Sequence, residues 1–370
     1  MKLRQEILGK VRRVVVKLGT GVLTDEHNQL SRQRIEQTVK QLAALCEQKR
    51  QVVVVSSGAI SAGMAALGLK QRPKHLHELQ ACAAVGQSKL MALYDELFAA
   101  RGIPVGQVLL THDDLKNRDR HLNARNTLLE LLARGIVPII NENDTVAVEE
   151  IKFGDNDRLG ALTATLLDAD LLVILSHVEG LYAGRSDLPV ATGEHRGREA
   201  APTVISVVPE ITRDVEALAG DTDRATSVGG MRSKLEAARI VTRAGIPMVI
   251  ASGERANVLA DLLAGEEIGT IFLPKGSGKL ASRKRWIAFF QRPAGALVVD
   301  DGAKAALCDG GKSLLAKGVV STKGKFDTGD VVSVLDKNQV EFARGLAKVG
   351  SGDMATATGV VVHRDDLVIL

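Results

Sequence analysis

Residues 156–175 read NDRLGALTATLLDADLLVIL and decide the fold class. Residues 156–167 carry apolar side chains at the spacing of a helix, and residues 171–175 form an unbroken aliphatic run. A strand without polar alternation is buried on both faces, which is typical of parallel sheets. The stretch therefore predicts a helix that leads into a buried parallel strand.

The same alternation extends through the first two-thirds of the chain. Further strands are predicted at 14–18, 52–55, 103–110, 136–140 and 248–250, and further helices at 31–49, 76–100, 121–134 and 230–244. Ser31 is a suitable N-cap for the first of these helices. The pattern predicts an α/β fold in three layers, a parallel-type sheet sandwiched between helices. Ligands of such sheets bind in the loops at the carboxyl ends of the strands.

The pattern changes after about residue 275. A polar, glycine-rich stretch at 274–278 is followed by short β runs at 286–290, 297–299, 331–335, 340–344 and 360–362. Glycine and aspartate turns separate these runs, as in a small β domain. We predict two domains, an α/β domain at 1–274 and a mostly-β domain at 275–370.

The composition of the 370 residues limits the function classes. A net charge of +4 permits an anionic ligand, but 3% aromatic residues argues against a protein that stacks bases. The three cysteines form no CxxC pair, so a zinc or redox motif has no support. Charges from Lys2 to Arg13 interrupt any signal peptide, and no apolar run is long enough to span a bilayer. We expect a cytoplasmic protein without membrane contact.

Two of the loops after strands carry glycine and small polar residues. The first loop reads Lys17-Leu18-Gly19-Thr20-Gly21. Its glycines would let backbone N–H groups approach a phosphate, and the lysine would add a point charge. The alternative is an ordinary tight turn. Ser56-Ser57-Gly58-Ala59 would leave helix N–H donors free for an anion, or would serve as a simple cap.

Three further loops carry polar or charged runs. Asn141-Glu142-Asn143-Asp144 follows an apolar strand and would bind an ammonium group or face solvent, while Gly154-Asp155-Asn156-Asp157 would cap a helix or orient lysines. Gly229-Gly230-Met231-Arg232-Ser233-Lys234 puts two bases in a first helical turn. Bases there cost stability unless an anion compensates, which favours a functional site. Gly276-Ser277-Gly278-Lys279 is not a P-loop, because Leu280 replaces the required hydroxyl residue.

Together these loops resemble the amino acid kinase family, and the resemblance runs almost end to end. The segments that carry it are VVVKLGTGVLT from Val14, VSSGAISAG from Val55, AAVGQSKLM from Ala83, HLNARNTL from His121, PIINENDTVAVEEIKFGDNDRL from Pro138, GGMRSKLEAA from Gly229 and VVHRDDL from Val361. The C-terminal part resembles a PUA domain. The NENDTV and FGDNDRL segments resemble the members of the family that phosphorylate the side-chain carboxylate of L-glutamate, in proline biosynthesis.

The resemblance implies roles for matching residues. Lys17 and Lys234 would neutralise phosphate charge, and Asp157 would hold both lysines. Ser57, Asp144 and Asn156 would bind the amino acid. ATP, carrying Mg²⁺, would be held by Lys17, Gly19, Thr20, Ser176, His177, Val228, Gly229, Gly230, Met231, Arg232, Ser233 and Lys234. No residue is assigned to bind a metal directly.

The resemblance also implies partners. These are L-glutamate, proline as feedback inhibitor, a glutamyl phosphate reductase that consumes the product, and a second copy of the chain in a dimer or tetramer. A carboxylate acceptor is already ionised at neutral pH and needs no general base, in agreement with loops that offer none.

Two alternatives remain open at this stage. One is a related kinase with another acceptor, such as aspartate, acetylglutamate or a nucleoside monophosphate. The other is an RNA-binding protein that acts through the second domain, whose basic residues Lys279, Arg283, Lys284, Arg285 and Arg292 could meet phosphates.

Overall fold

The computed structural model describes residues 2–147, 156–183, 203–219, 230–274 and 282–370. The chain separates into two compact units, Met1–Ser277 and Gly278–Leu370. The predicted domain boundary at 274/275 borders residues that lie outside the described ranges, so that boundary stays a prediction.

The first unit is built on an eight-stranded sheet with the order β3-β4-β2-β1-β5-β7-β8-β6. Its strands are β1 Arg13–Leu18, β2 Gln51–Ser56, β3 Val105–Leu110, β4 Val137–Glu142, β5 Leu171–Ser176, β6 Val207–Val208, β7 Met248–Ser252 and β8 Thr270–Phe272. From β3 to β7 all neighbours are parallel, whereas β8 runs antiparallel to β7 and parallel to β6. The predicted fold class is confirmed.

The central strands are apolar because both of their faces are covered. Every residue of β4 and β5 is buried, and so is every residue of β1 and β2 after the first. The helices described in this unit are Lys2–Leu8, Thr20–Leu23, Arg32–Glu47, Ala59–Ala66, Leu76–Ala99, His112–Lys116, Arg118–Ala133, Asn156–Leu167, Arg213–Ala217, Met231–Arg243 and Val258–Leu263. As predicted, Ser31 caps the Arg32–Glu47 helix by accepting a hydrogen bond from the Arg34 backbone N–H.

Two glycines let the Ala59–Ala66 and Leu76–Ala99 helices touch backbone to backbone. A Cβ atom on Gly63 would lie 1.8 Å from the Cys82 carbonyl oxygen, and one on Gly86 would lie 1.8 Å from the Ala59 carbonyl oxygen. Neither position has room for a side chain. The close contact fixes the helix that follows β2 against the long helix that leads to β3.

The topology brings the carboxyl ends of six strands to one edge of the sheet. β3, β4, β2, β1, β5 and β7 are consecutive in the sheet and mutually parallel, so the residues after each strand lie at the same edge. Most of the loops singled out in the sequence start there. A ligand-binding site is therefore expected at this edge of the sheet.

The second unit holds a six-stranded sheet with the order β10-β14-β13-β12-β9-β11. Its strands are β9 Gly295–Val299, β10 Leu314–Leu315, β11 Val319–Gly324, β12 Val331–Leu335, β13 Glu341–Ala347 and β14 Val360–Ile369. Its helical segments are Ser282–Arg285, Trp286–Phe290, Asp301–Cys308 and Ala316–Gly318. Apolar side chains of β9, β12, β13 and β14 form the core of this unit.

The predicted strand at 286–290 is wrong. Trp286–Phe290 is one turn of π-helix that buries Ile287, Ala288 and Phe290. A short apolar run has no period that separates a buried strand from a buried helical turn, and packing decides between them. Within the described ranges, no helix combines the length and the apolar character needed to cross a membrane.

Candidate active site

Lys17 and Lys234 meet on the carboxylate of Asp157. The Lys17 Nζ lies 2.7 Å from Asp157 Oδ1, and the Lys234 Nζ lies 3.2 Å from Asp157 Oδ2. All three side chains are buried. The structure thus brings together three residues that are far apart in the sequence.

Three different elements deliver these side chains. Lys17 is the penultimate residue of β1, Asp157 is in the first turn of the Asn156–Leu167 helix, and Lys234 begins the second turn of the Met231–Arg243 helix. Gly160 makes room for the lysine stem, because a Cβ atom there would lie 3.4 Å from Lys17 Cβ. Ser233 adds a hydrogen bond of 2.7 Å from its hydroxyl to Asp157 Oδ2.

The electrostatics of Asp157 show that it is ionised. Burial is the largest influence and acts to raise its pKa, but the charges of Lys17 and Lys234, with hydrogen bonds from Lys17 and Ser233, outweigh burial and lower the pKa to about 2. Two ammonium groups thus contact one ionised carboxylate at a buried position. An anion that binds at this edge of the sheet would meet two positively charged groups.

Glycines line the backbone next to the lysines. Gly19 is the N-cap of the Thr20–Leu23 helix and Gly230 that of the Met231–Arg243 helix, and neither helix has a side-chain cap hydrogen bond. A Cβ atom on Gly19 would lie 3.6 Å from Lys17 Nζ. Helix N–H groups that no side chain caps, beside two lysines, fit the phosphates of a nucleotide.

The other residues predicted to bind the nucleotide differ in their exposure to solvent. Ser176 ends β5 and is buried, and His177 follows it into solvent, where a Cβ atom on Gly21 would lie 4.0 Å from His177 Nδ1. The remaining residues begin helices, with Thr20 and Arg232 exposed and Met231 half-buried. Val228 and Gly229 lie outside the described residues.

A second cluster, the acceptor cluster, joins Ser57, Asn156, Asn141 and Gln87. The Asn156 Nδ2 donates to Ser57 Oγ at 2.9 Å and to Asn141 Oδ1 at 3.0 Å. The Asn141 Nδ2 in turn donates to Gln87 Oε1 at 3.0 Å. Because Asn156 precedes Asp157, this cluster adjoins the lysine pair.

Asp144 lies beyond the acceptor cluster as an unsatisfied carboxylate. It is 6% exposed, and among the described residues no group donates a hydrogen bond to its Oδ1. Burial and the charge of Glu142 raise the pKa of Asp144 to about 7, against a smaller opposing effect of Arg72. A buried carboxylate in this state fits a cationic group of a ligand.

The loop predicted at 141–144 is shorter than expected. Asn141 and Glu142 are the last two residues of β4, and both are buried. Sequence reasoning treated them as one polar run with Asp144, and it missed Gln87 in the acceptor cluster. A polar residue that ends an unbroken apolar strand was the available signal for Asn141, whereas Gln87 sits in a long helix with no local signal.

The basic residues of the second unit do not form one open patch. Arg285 is buried, and the Arg283 Nε lies 2.6 Å from Asp366 Oδ1. Lys279 lies outside the described residues.

Within the described residues, no group of three or more histidine, cysteine or acidic side chains is arranged to hold a metal ion.

Comparison with known proteins shows the family of the chain. The model of the family described as "Amino acid kinase family" matches residues 12–252, and that described as "PUA domain" matches residues 295–365. The glutamate 5-kinase of Pelobacter propionicus is 43% identical over 384 residues, with 100% of each chain covered. That of Moorella thermoacetica is 45% identical over 379 residues, covering 98% of this chain and 97% of the relative. That of Citrifermentans bemidjiense is 45% identical over 384 residues, with 100% of each chain covered. The chain belongs to the amino acid kinase family.

Proposed function

We propose that the protein is an ATP-dependent kinase that transfers the γ-phosphoryl group to the side-chain carboxylate of L-glutamate. The single observation that carries the proposal is the pair of buried ammonium groups on one buried carboxylate at the carboxyl edge of the sheet. The full-length relatives named glutamate 5-kinase support the choice of acceptor.

Lys17 and Lys234 are the catalytic cations. Phosphoryl transfer asks a protein mainly for positioning and for neutralisation of the charge on the transferred group. Asp157 fixes both ammonium groups, so they need no reorganisation when charge develops between donor and acceptor. The two ammonium groups offset the negative charge of the phosphates.

The acceptor cluster binds the amino acid. Asp144, with its unsatisfied buried oxygen, receives the ammonium group, and the Ser57 hydroxyl and the Asn156 amide offer polar contacts beside it. The acceptor carboxylate is ionised at neutral pH, so no side chain has to remove a proton from it.

The nucleotide lies along the glycine-capped helix starts. Gly19, Thr20, Ser176, His177 and the helix start from Gly230 to Lys234 would contact it, and the family resemblance assigns Val228 and Gly229 to it as well. Mg²⁺ would be bound with the nucleotide and would offset part of the phosphate charge, while both Asp157 oxygens contact lysines. ATP supplies the phosphoryl group that these residues position.

The test is acyl phosphate formation. The protein with ATP, Mg²⁺ and L-glutamate is assayed with hydroxylamine, which traps the product as a hydroxamate. Lys17→Met and Lys234→Met should each lower kcat by roughly a hundredfold or more. Lys40→Met, an exposed lysine of the Arg32–Glu47 helix, is the matched control. Unchanged activity in both site variants would remove the proposed mechanism, and aspartate, acetylglutamate or UMP accepted in place of glutamate would change the acceptor.

Three associated properties belong to the same proposal. Proline inhibits at or near the acceptor cluster, the active form is a homodimer or homotetramer, and a glutamyl phosphate reductase consumes the unstable product. The hydroxamate assay with and without proline, and the mass of the protein in solution, test the first two. A cytoplasmic location and an RNA-binding role for the second unit stay expectations. Cell fractionation tests the first, and RNA binding measured at several salt concentrations tests the second.

A further inference from the structure

Two ion pairs connect the Asn156–Leu167 and Met231–Arg243 helices, and they differ in burial. The inner pair is Asp157 with Lys234, and both of its side chains are buried. The outer pair is Arg158 with Glu236, whose side chains are 29% and 50% exposed. The outer pair is therefore the more exposed of the two, one residue along the first helix and two along the second.

Arg158 also reaches the acceptor edge of the sheet. Its Nε donates to His112 Nε2 at 2.8 Å. A guanidinium has no acceptor, so the His112 Nε2 carries no proton and the proton of the neutral ring sits on Nδ1. That nitrogen faces Glu142 Oε1 at 3.7 Å.

The hydrogen-bonded contacts run from the helix after β3 to the helix of Lys234. His112 starts the helix after β3, at the carboxyl edge of the sheet, and Arg158 joins His112 to Glu236. The neutral His112 ring and Glu142 Oε1, 3.7 Å apart, are neighbours without a hydrogen bond. Glu236 lies two residues after Lys234. The carboxyl edge of the sheet at β3 and the helix of the catalytic lysine are thus joined by a second route that does not pass through Asp157.

We propose that Arg158 is a positioning residue that couples the acceptor edge to the Met231–Arg243 helix and so keeps Lys234 in register with the bound amino acid. The inference rests on the proposed function. Arg158 acts through Glu236 and His112, and it contacts neither substrate nor phosphate in this scheme. An exposed ion pair adds little to stability, so the effect is expected in the rate and not in the folding.

The first experiment compares Arg158→Gln with the wild type in the hydroxamate assay. We expect kcat to fall by roughly tenfold to a hundredfold, because small displacements of a catalytic group are costly, with KM for ATP and the melting temperature almost unchanged. Arg32→Gln is the matched control, since Arg32 and Glu96 form an exposed ion pair between two helices away from the site. A wild type that forms no hydroxamate overturns the proposed function and the inference together. If the wild type is active and the kcat of Arg158→Gln lies within twofold of the wild-type kcat, the inference alone is overturned.

The second experiment separates coupling from local packing. His112→Gln and Glu236→Gln are combined in a double-mutant cycle, first with Arg158 present and then in the Arg158→Gln background. If Arg158 links the two residues, their effects on kcat are non-additive with Arg158 and additive without it. Additive effects with Arg158 present, or equal coupling in both backgrounds, would overturn the inference.

Discussion

The hydroxyl oxygens of Ser56 and Tyr94 lie 2.8 Å apart in the buried core beneath the acceptor cluster. The Ser56 hydroxyl donates its proton to the Ser57 carbonyl oxygen at 2.9 Å, so the phenol of Tyr94 is the donor to Ser56. Burial raises the pKa of Tyr94, and the phenol stays protonated. The long Leu76–Ala99 helix therefore supports the backbone of Ser57 through two hydrogen bonds.

Tyr94→Phe should weaken this support without opening a cavity. We expect a loss of about 1 kcal/mol in the free energy of unfolding, because one buried hydrogen bond disappears. KM for glutamate should rise severalfold while KM for ATP stays constant. Urea unfolding and initial-rate kinetics measure the two effects, and an equal rise in both KM values would contradict the placement of Ser57 on the acceptor side.

Lys17→Met should keep the fold while it removes activity. Asp157 retains Lys234 as a partner after the change, and the variant replaces a buried charge with an apolar side chain of similar length. We expect the melting temperature to stay within about 3 °C of the wild type, a shift that corresponds to roughly 2 kcal/mol in a chain of this size. Collapse of the fold in this variant would show that the contact between Lys17 and Asp157 is needed for folding.

Asp157→Asn should have the opposite effect on stability. It removes the carboxylate that both buried ammonium groups contact, so the free energy of unfolding should fall by about 3–5 kcal/mol. The pKa of Asp157 is lowered to about 2 from 3.8, so its stabilising contribution is complete above pH 3.8 and disappears as the pH falls towards 2. The difference between wild type and variant should therefore shrink at acid pH, as measured by denaturation at several pH values.

Asp144 should give the reaction a pH dependence on the acceptor side. Its pKa of about 7 means that the carboxylate needed for the ammonium group is lost as the pH falls below that value. We expect kcat/KM for glutamate, measured at saturating ATP, to fall about tenfold per pH unit on the acid side. Asp144→Asn should lower kcat/KM and remove this slope, and a slope that persists in the variant would assign it to another group.

The same carboxylate should cost stability in the free protein. The folded state holds the Asp144 proton more tightly than the unfolded state, so stability falls as the pH rises from 3.8 to about 7. Above that range, Asp144→Asn should be more stable than the wild type by about 1–3 kcal/mol, because an unsatisfied buried charge has been removed. At pH 4 the gain should vanish, which thermal unfolding at the two pH values can test.

The sequence predicts the edge of the sheet at which the site lies, and it does so from elementary patterns. Aliphatic runs without polar residues indicated the parallel strands. Lys17, Asp157 and Lys234 were identified by their positions at strand ends and helix starts. Their meeting was inferred from the family resemblance, since residues 17 and 234 are too far apart in sequence for any local pattern to join them. The roles given to these residues stay predictions.

Features set by tertiary contacts were beyond the sequence. Arg4 entered the prediction only as one of the N-terminal charges, yet it is 2% exposed. Its guanidinium donates to the backbone carbonyl oxygens of Ser206, Glu266, Ile268 and Gly269. A buried arginine held by carbonyl groups has no sequence period, because its partners belong to loops more than two hundred residues away. The π-helical turn at Trp286–Phe290 escaped prediction for the same reason.

The backbone contact at Gly63 and Gly86 limits how this site could change during evolution. Because neither position tolerates even a methyl group, any larger residue there would force the Ala59–Ala66 and Leu76–Ala99 helices apart. Ser57 precedes the first of these helices and Gln87 lies on the second, so such a substitution would separate members of the acceptor cluster. Variation at the acceptor side is therefore restricted at two positions that contact no ligand in the proposed scheme.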